Sequence, residues 1–204
     1  NFAGQAGHEL DHRASFGQPS LAWRLPMGIR LLLVIVVLAC STLSVAEEPS
    51  FGPIIEGYGP TYPIGDRDVP LPENFTYKAV FDLAKSPDET SALNPYLISV
   101  ARYLNMHARN GVPAENMELA VVVHGAAVKN LLTDQAYESR YKGKNPNLEL
   151  LTRLHDAGVR IFVCGQSITF GGISRSELAE PAKVALSAMT MLTVLQSDGY
   201  ALLP

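Results

Sequence analysis

The sequence is poor in cysteine, in aromatic residues and in positive charge. It has two cysteines, Cys40 and Cys164, in 204 residues, and aromatic residues make up 8%. The formal net charge is −4 and the isoelectric point is near 5.7. A nucleic-acid-binding protein usually carries a basic patch or basic runs interleaved with aromatic residues. The chain has neither, so we expect no nucleic-acid partner.

Several sequence signatures of catalysis are also absent. The chain contains no G-x-G-x-x-G or G-x-x-x-x-G-K phosphate-binding pattern and no G-x-S-x-G elbow. Ser167 stands where a C-x-x-C redox motif starting at Cys164 would have its second cysteine, which excludes dithiol chemistry within one chain. Metal binding through Cys164 and His124, with His155 as an optional third ligand, is a weaker hypothesis because no paired-ligand motif supports it. Haem binding through His124 and Cys164 is an equally weak alternative. We therefore expect no cofactor and no metal.

The first 46 residues have the pattern of an exported protein. Residues 1–26 are polar and non-periodic, and we interpret them as a disordered or non-native extension. Residues 27–46 combine one arginine, the apolar run Leu31–Ala39 and the small residues Ser44 and Ala46, which predicts a signal peptide cleaved before Glu47. The apolar run is short for a membrane span. The mature protein is then periplasmic or secreted, with no stable membrane span.

A lipoprotein box at residues 37–40 is the alternative reading of this leader. It would place a lipid on Cys40, but Leu38 is unusual at its position in such a box. Ordinary cleavage is therefore the favoured expectation. Residues 47–76 follow and are rich in proline and glycine, which resist helix and sheet interiors. They form either an arm packed on the domain or on a neighbouring subunit, or a flexible tether.

Strand patterns alternate with helix patterns across residues 77–204. The alternation is typical of right-handed βαβ crossovers, and it predicts an α/β fold: a three-layer α/β/α sandwich with a mainly parallel sheet. The predicted strands are Tyr77–Leu83, Leu119–Val123, the strand that ends at Cys164, Lys183–Leu186 and Tyr200–Leu203. The predicted helices run from Asn94-Pro95 to Gly111, over Ala126–Tyr137, from Asn145-Pro146 to Gly158, over Arg175–Glu180 and over Ser187–Ser197, with a polar loop at 138–144.

The last of these helices is apolar almost all round. Residues 188–195 include two methionines, two leucines and a valine. A helix of this kind is usually buried on every side. We expect it to be either a central helix of the domain or part of a subunit interface.

Two strand ends carry the groups that could do chemistry. Cys164 ends one buried strand, and His124 follows another. Ligands of open α/β sheets bind at the carboxyl edge of the strands. Backbone N–H groups and helix N-termini at that edge favour a reactive thiolate, and a nearby histidine can stabilise it or shuttle its proton. The alternatives are an inert buried cysteine and a structural histidine.

Five segments of the domain resemble the DsrE/DsrF-like family, in particular its exported single-domain branch. In chain order these segments are Leu119–Gly125, Asn147–Leu151, Ala157–Ser167, Val184–Thr190 and Gly199–Pro204. The resemblance implies the DsrE/YchN-like α/β/α fold and homo-oligomers, often trimers or hexamers. Some members of the family relay sulfur: a strand-end cysteine carries a persulfide and passes it to the thiol of a partner protein. By this resemblance, Cys164 matches the cysteine that carries the persulfide in those members.

Two functional hypotheses follow from the residues and the resemblance. In the first, an exported protein handles reactive sulfur, with Cys164 as nucleophile and persulfide carrier in transfer to a thiol-bearing partner. Its pocket would be formed by His124, Gly125, Gly165, Gln166 and Ser167. In the second, the protein is a non-enzymatic, oligomeric module that binds a small ligand at the same edge. Whether the protein turns over as an enzyme or acts as a carrier stays open.

Overall fold

A five-stranded sheet in which every pairing is parallel forms the centre of the computed structural model, which describes residues 48–203. The strand order is β4-β3-β2-β1-β5. The strands are β1 (Tyr77–Leu83), β2 (Met117–Val123), β3 (Arg160–Cys164), β4 (Ala182–Ala185) and β5 (Ala201–Leu203). The predicted parallel α/β fold is confirmed. The extension, the signal peptide and Cys40 lie outside the described residues.

Five α-helices connect or flank these strands in the described part of the chain. They are α1 (Pro95–Arg109), α2 (Asp134–Tyr141), α3 (Leu148–Asp156), α4 (Gly165–Phe170) and α5 (Ala188–Ser197). Short 3₁₀ turns cover Ala114–Asn116, Gly125–Leu131 and Arg175–Glu177. The ends predicted from capping residues are present: the side chain of Asn94 accepts a hydrogen bond from Tyr96 N–H, and Ser187 accepts one from Thr190 N–H. No helix among residues 48–203 has the length and apolarity needed to cross a membrane.

The two faces of the sheet are covered unequally. Because side chains alternate along a strand, Phe81, Val121 and Val163 face one side, where they share a core with apolar residues of α1 to α4. Val80 and Val122 face the other side, where they pack with residues of α5. Three layers result, and within residues 48–203 the second face has α5 as its helical cover.

Helix α5 is largely exposed, although its sequence predicts burial. Met189 is 78% exposed and Val194 is 53% exposed, whereas Ala188 and Leu195 are buried. A central helix within the domain is therefore the wrong interpretation. The physical reason is that α5 lies on the outside of the sheet and has nothing beyond it in the described chain.

The segment between β2 and β3 differs from its predicted form. In place of a helix over Ala126–Tyr137, a 3₁₀ turn ends at Leu131, and α2 then runs from Asp134 to Tyr141. Leu132 pairs with Leu178 in an antiparallel bridge, which holds the chain extended, and the Thr133 side chain caps α2 by accepting from Ala136 N–H. The predicted loop at 138–144 is therefore helical in its first half. The predicted helix at Arg175–Glu180 is only a 3₁₀ turn over 175–177.

Part of the proline- and glycine-rich arm packs against α1. The Asn105 side chain accepts from Ile54 N–H and Ile55 N–H at 3.1 and 2.8 Å and donates to the carbonyls of Ile55 and Tyr58 at 3.0 and 2.9 Å. Ile55 is 1% exposed and joins the core. A Cβ on Gly59 would lie 2.2 Å from the backbone nitrogen of Arg102, so only glycine allows this approach.

Candidate functional site

The strand register brings three side chains to the same edge and the same face of the sheet. Asp82 pairs with Val122, and Val123 pairs with Val163, so β1, β2 and β3 end side by side. Asp82 follows Val80 by two residues, and His124 follows Val122 by two. Cys164 packs in the same core cluster as Val80 and Val122. Asp82, His124 and Cys164 therefore occupy the carboxyl edge on the face that α5 covers.

These three side chains line one cavity of about 370 Å³. The N-terminal part of α5 lines the cavity as well. The remaining lining residues are Gln166, Ser187, Ala188, Met189 and Leu192. Of the pocket residues predicted from the sequence, the structure thus brings His124 and Gln166 together with Cys164. The cavity is large enough for a small sulfur compound.

The Cys164 thiol lies in an environment that stabilises its ionised form. The residue is 5% exposed, and burial alone raises the thiol pKa. Hydrogen bonds from the Ser167 hydroxyl and from the backbone N–H groups of Ser167, Ala188 and Gln166 outweigh burial, so the net pKa of Cys164 is lowered. These donors come from the first turns of α4 and α5. Two helix N-termini therefore converge on one sulfur atom.

Helix α4 begins directly after Cys164, and the sequence pattern did not predict it. Its residues, Gly-Gln-Ser-Ile-Thr-Phe, include glycine and β-branched residues, which are weak helix formers. Gly165 is required by close packing, because a Cβ there would lie 2.7 Å from the carbonyl oxygen of Ala185 and 3.2 Å from that of Leu186. The loop between β4 and α5 can therefore approach the cysteine closely enough for Ala188 N–H to reach the sulfur.

A histidine–carboxylate pair faces the same cavity. His124 Nε2 lies 2.7 Å from Asp82 Oδ1, and the two side chains are 29% and 35% exposed. Sequence reasoning identified His124 but missed Asp82. The available signal was an aspartate near the carboxyl end of an otherwise buried strand, YKAVFDL. A carboxylate in that position needs a partner, and His124 provides one.

The other predicted pocket residues belong mainly to a neighbouring cavity of about 510 Å³. Gly125 and Ser167 line it, and Gln166 contributes to both cavities. Gly125 has a positive φ of 55° and donates its N–H to the Ser167 hydroxyl at 3.2 Å. Gly125 therefore supports the side chain that hydrogen-bonds to the cysteine.

The basic side chains of this second cavity already have partners. Lys129 Nζ donates to the carbonyl of Pro87 at 2.6 Å, and Arg140 pairs with Glu177 at 2.7 Å. The Ser174 N–H, the Arg140 guanidinium and the Ser174 hydroxyl all hydrogen-bond the Glu177 carboxylate and lower its pKa to about 2. This cluster closes the 3₁₀ turn at 175–177 and has a structural role.

Residues 48–203 contain no group of three or more His, Cys, Asp or Glu side chains that could hold a metal ion. His155 is in α3, which leads into the amino end of β3, whereas Cys164 is at the carboxyl end of that strand. His155 Nδ1 lies 3.6 Å from Asp156 Oδ1. The structure therefore does not bring His155 to the cavity.

Comparison with known proteins relates the domain to one family. The model of the DsrE/DsrF-like family matches residues 78–204. Similar solved structures are MTH1491, a protein of unknown function from Methanobacterium thermoautotrophicum, and the ychN protein from E. coli. Their identities to this chain are 20% and 18% and their TM-scores are 0.48 and 0.46; each alignment covers 62% of this chain and 97% of the other. A search of curated proteins finds no match. Because the family model covers more than half of the chain, this protein belongs to the DsrE/DsrF-like family.

Proposed function

We propose that this protein handles reactive sulfur, with Cys164 as the persulfide carrier in transfer between molecules. The observation that carries the proposal is a buried cysteine whose thiol pKa is lowered and which lines a cavity with room for a small sulfur compound. Family membership supports it, because some DsrE/DsrF-like proteins relay sulfur. A single cysteine in the domain suits transfer between molecules, since the second thiol comes from a partner.

The transfer needs no external oxidant or reductant. The Cys164 thiolate attacks the outer sulfur of a donor persulfide, R–S–SH. A bond forms between Cys164 Sγ and that sulfur, the donor's own S–S bond breaks, and the donor leaves as the thiolate RS⁻. An acceptor thiolate then attacks the outer sulfur now bound to Cys164, and the Cys164 thiolate leaves. A low thiol pKa helps both halves, because it supplies the attacking thiolate and makes a good leaving group.

Mass spectrometry of the intact protein tests the proposal. The protein is incubated with thiosulfate or with a small alkyl persulfide, alongside Cys164→Ser. We expect the wild type to gain the mass of one or more sulfur atoms and the variant to gain none. Loading that persists in Cys164→Ser would contradict the assignment of the carrier. The same spectra report where the leader is cut and whether Cys40 carries a lipid.

A small-ligand-binding module is the second candidate function. The near-complete burial of Cys164 supports it, because a thiol at 5% exposure can line a pocket without reacting. Absence of a sulfur adduct with every donor, together with slow alkylation of Cys164, would favour this candidate. Fast alkylation at neutral pH would favour the sulfur carrier.

Export and self-association complete the proposal. The leader pattern supports a periplasmic or secreted protein, with lipid attachment at Cys40 as the alternative.

The exposed apolar side chains of Met189 and Val194 on α5 support a homo-oligomer, a trimer or hexamer by family resemblance. Sedimentation at micromolar concentration tests this. Val194→Glu should shift the protein towards monomer, whereas Thr152→Glu, an exposed position on α3, should not.

A further inference from the structure

His124 is not among the groups that lower the pKa of the Cys164 thiol. The groups that stabilise the thiolate belong to Ser167, Ala188 and Gln166. His124 is hydrogen-bonded instead to Asp82, and His124, Asp82 and Cys164 all line one cavity. A histidine whose purpose was to ionise the cysteine would be expected to hydrogen-bond to it directly. The cavity of about 370 Å³ that the imidazole and the thiol both line has room for a second small molecule.

The pairing with Asp82 fixes which nitrogen of His124 can exchange a proton. An ionised carboxylate only accepts hydrogen bonds, so the 2.7 Å contact requires Nε2 to carry a hydrogen. Nδ1 is then the nitrogen that can give a proton to a bound molecule or take one from it. The backbone also holds the residue in place, since His124 N–H donates to the carbonyl of Leu83 at 2.9 Å.

We infer that Asp82 is a positioning residue that holds His124 as the acid–base group for the second sulfur compound in the cavity. This inference rests on the proposed function. In the loading step, protonated His124 gives its Nδ1 proton to the donor thiolate as the donor's S–S bond breaks. In the unloading step, neutral His124 takes the proton of the acceptor thiol, which then attacks the outer sulfur. The net reaction is RSSH + R′SH → RSH + R′SSH, and the imidazole returns to its starting state.

Apart from Asp82, His124 and Cys164, the lining of the cavity is uncharged, which leaves His124 as its acid–base group. The residues that α5 and its cap contribute to the cavity are uncharged, and so is Gln166. Asp82 also lines an adjoining cavity of about 350 Å³ that contains Lys85 and Tyr96. Asp82, His124 and Cys164 are thus the titratable groups of the reaction cavity itself, with Lys85 beyond Asp82.

Disulfide exchange with leaving groups of different basicity tests the inference without using any persulfide. Cys164 reacts with either an aryl disulfide or an alkyl disulfide. An aryl thiolate is weakly basic and leaves without being protonated, whereas a strongly basic alkyl thiolate leaves faster when an acid protonates it. The readout is the ratio of the alkyl rate to the aryl rate, followed on the Cys164 peptide. In His124→Gln we expect this ratio to fall by about 100-fold, the lower end of typical general acid–base effects. Asp82→Asn should lower it in the same direction but less, and the double variant should match His124→Gln.

Equal losses toward both disulfides would overturn the inference, because they would indicate a structural role for the pair. An unchanged ratio in His124→Gln would overturn it as well. The two proposals can fail separately. A falling ratio without any sulfur loading would retain the role of Asp82 and His124 and reject the persulfide carrier. Loading with an unchanged ratio would do the reverse.

Discussion

Replacement of Ser167 by alanine gives the most direct test of how this fold activates Cys164. The substitution removes the hydroxyl that hydrogen-bonds the sulfur and keeps the backbone N–H donors of Ser167, Ala188 and Gln166. A hydrogen bond to a charged group contributes about 1.5–3 kcal/mol. Since about 1.4 kcal/mol corresponds to a factor of ten, the lower limit predicts a roughly tenfold smaller thiolate fraction at any pH below both thiol pKa values.

The rate of alkylation should change less than the thiolate fraction. A thiolate becomes more nucleophilic as the pKa of its thiol rises, with a Brønsted coefficient of about 0.4–0.5. A tenfold weaker thiol acid therefore gives a thiolate that reacts roughly three times faster. Iodoacetamide should therefore modify Ser167→Ala about three times more slowly than wild type at low pH and about three times faster at high pH. The two pH–rate profiles should cross.

The measurement is the pH dependence of the second-order alkylation rate, followed by mass spectrometry of the Cys164 peptide. Ser99→Ala is the matched control, because the Ser99 hydroxyl donates to the Pro95 carbonyl on α1, on the other face of the sheet. Its profile should overlay that of the wild type. Superimposed profiles for Ser167→Ala and wild type would refute the claim that the hydroxyl stabilises the thiolate.

Three further predictions concern stability, each measured by urea unfolding. Gly165→Ala should lower the free energy of unfolding by about 1–3 kcal/mol, because its Cβ would overlap a backbone carbonyl, whereas Gly143→Ala has nothing within 4 Å and should be near neutral. Asn105→Ala should lower the free energy of unfolding by about 2–4 kcal/mol, because the buried backbone N–H and carbonyl of Ile55 lose their partner. An effect no larger than that of Asn116→Ala would contradict the role of Asn105 in anchoring residues 54–59 to α1. Glu177 has its pKa lowered from 4.5 to about 2, so its contribution is present above pH 4.5 and is lost as the pH falls towards 2. The stability difference between wild type and Glu177→Gln should shrink over that interval, and a constant difference would argue against the lowered pKa.

The sequence pattern was sufficient for the parts of the fold that depend on local signals. β1 occurs at its predicted residues, and Asn94 and Ser187 cap helices where predicted. Strand periodicity and capping chemistry act over a few residues, so they can be read from the chain directly. The placement of Cys164 at the carboxyl end of a parallel strand follows from the same kind of signal.

Other features depend on contacts between distant residues. Helix α4 has weak helix formers and forms where Gly165 packs against the loop after β4. Asp82 and His124 are 42 residues apart in the sequence. Asp82 becomes part of the site only because the pairing of β1 with β2 brings its Oδ1 within 2.7 Å of His124 Nε2. No local pattern encodes such a pairing.

Composition alone left two environments open for α5: the interior of the domain and a subunit interface. Its apolar residues indicate that water is unfavourable around it, but not whether this domain or another molecule excludes that water. The sheet has one face filled by four helices and the other covered by α5 in the described chain, so Met189 and Val194 remain exposed. The sequence determined which residues favour burial and where the thiol lies along its strand. The tertiary structure alone decided which surfaces are covered and which groups reach the sulfur, because both depend on how separate elements pack.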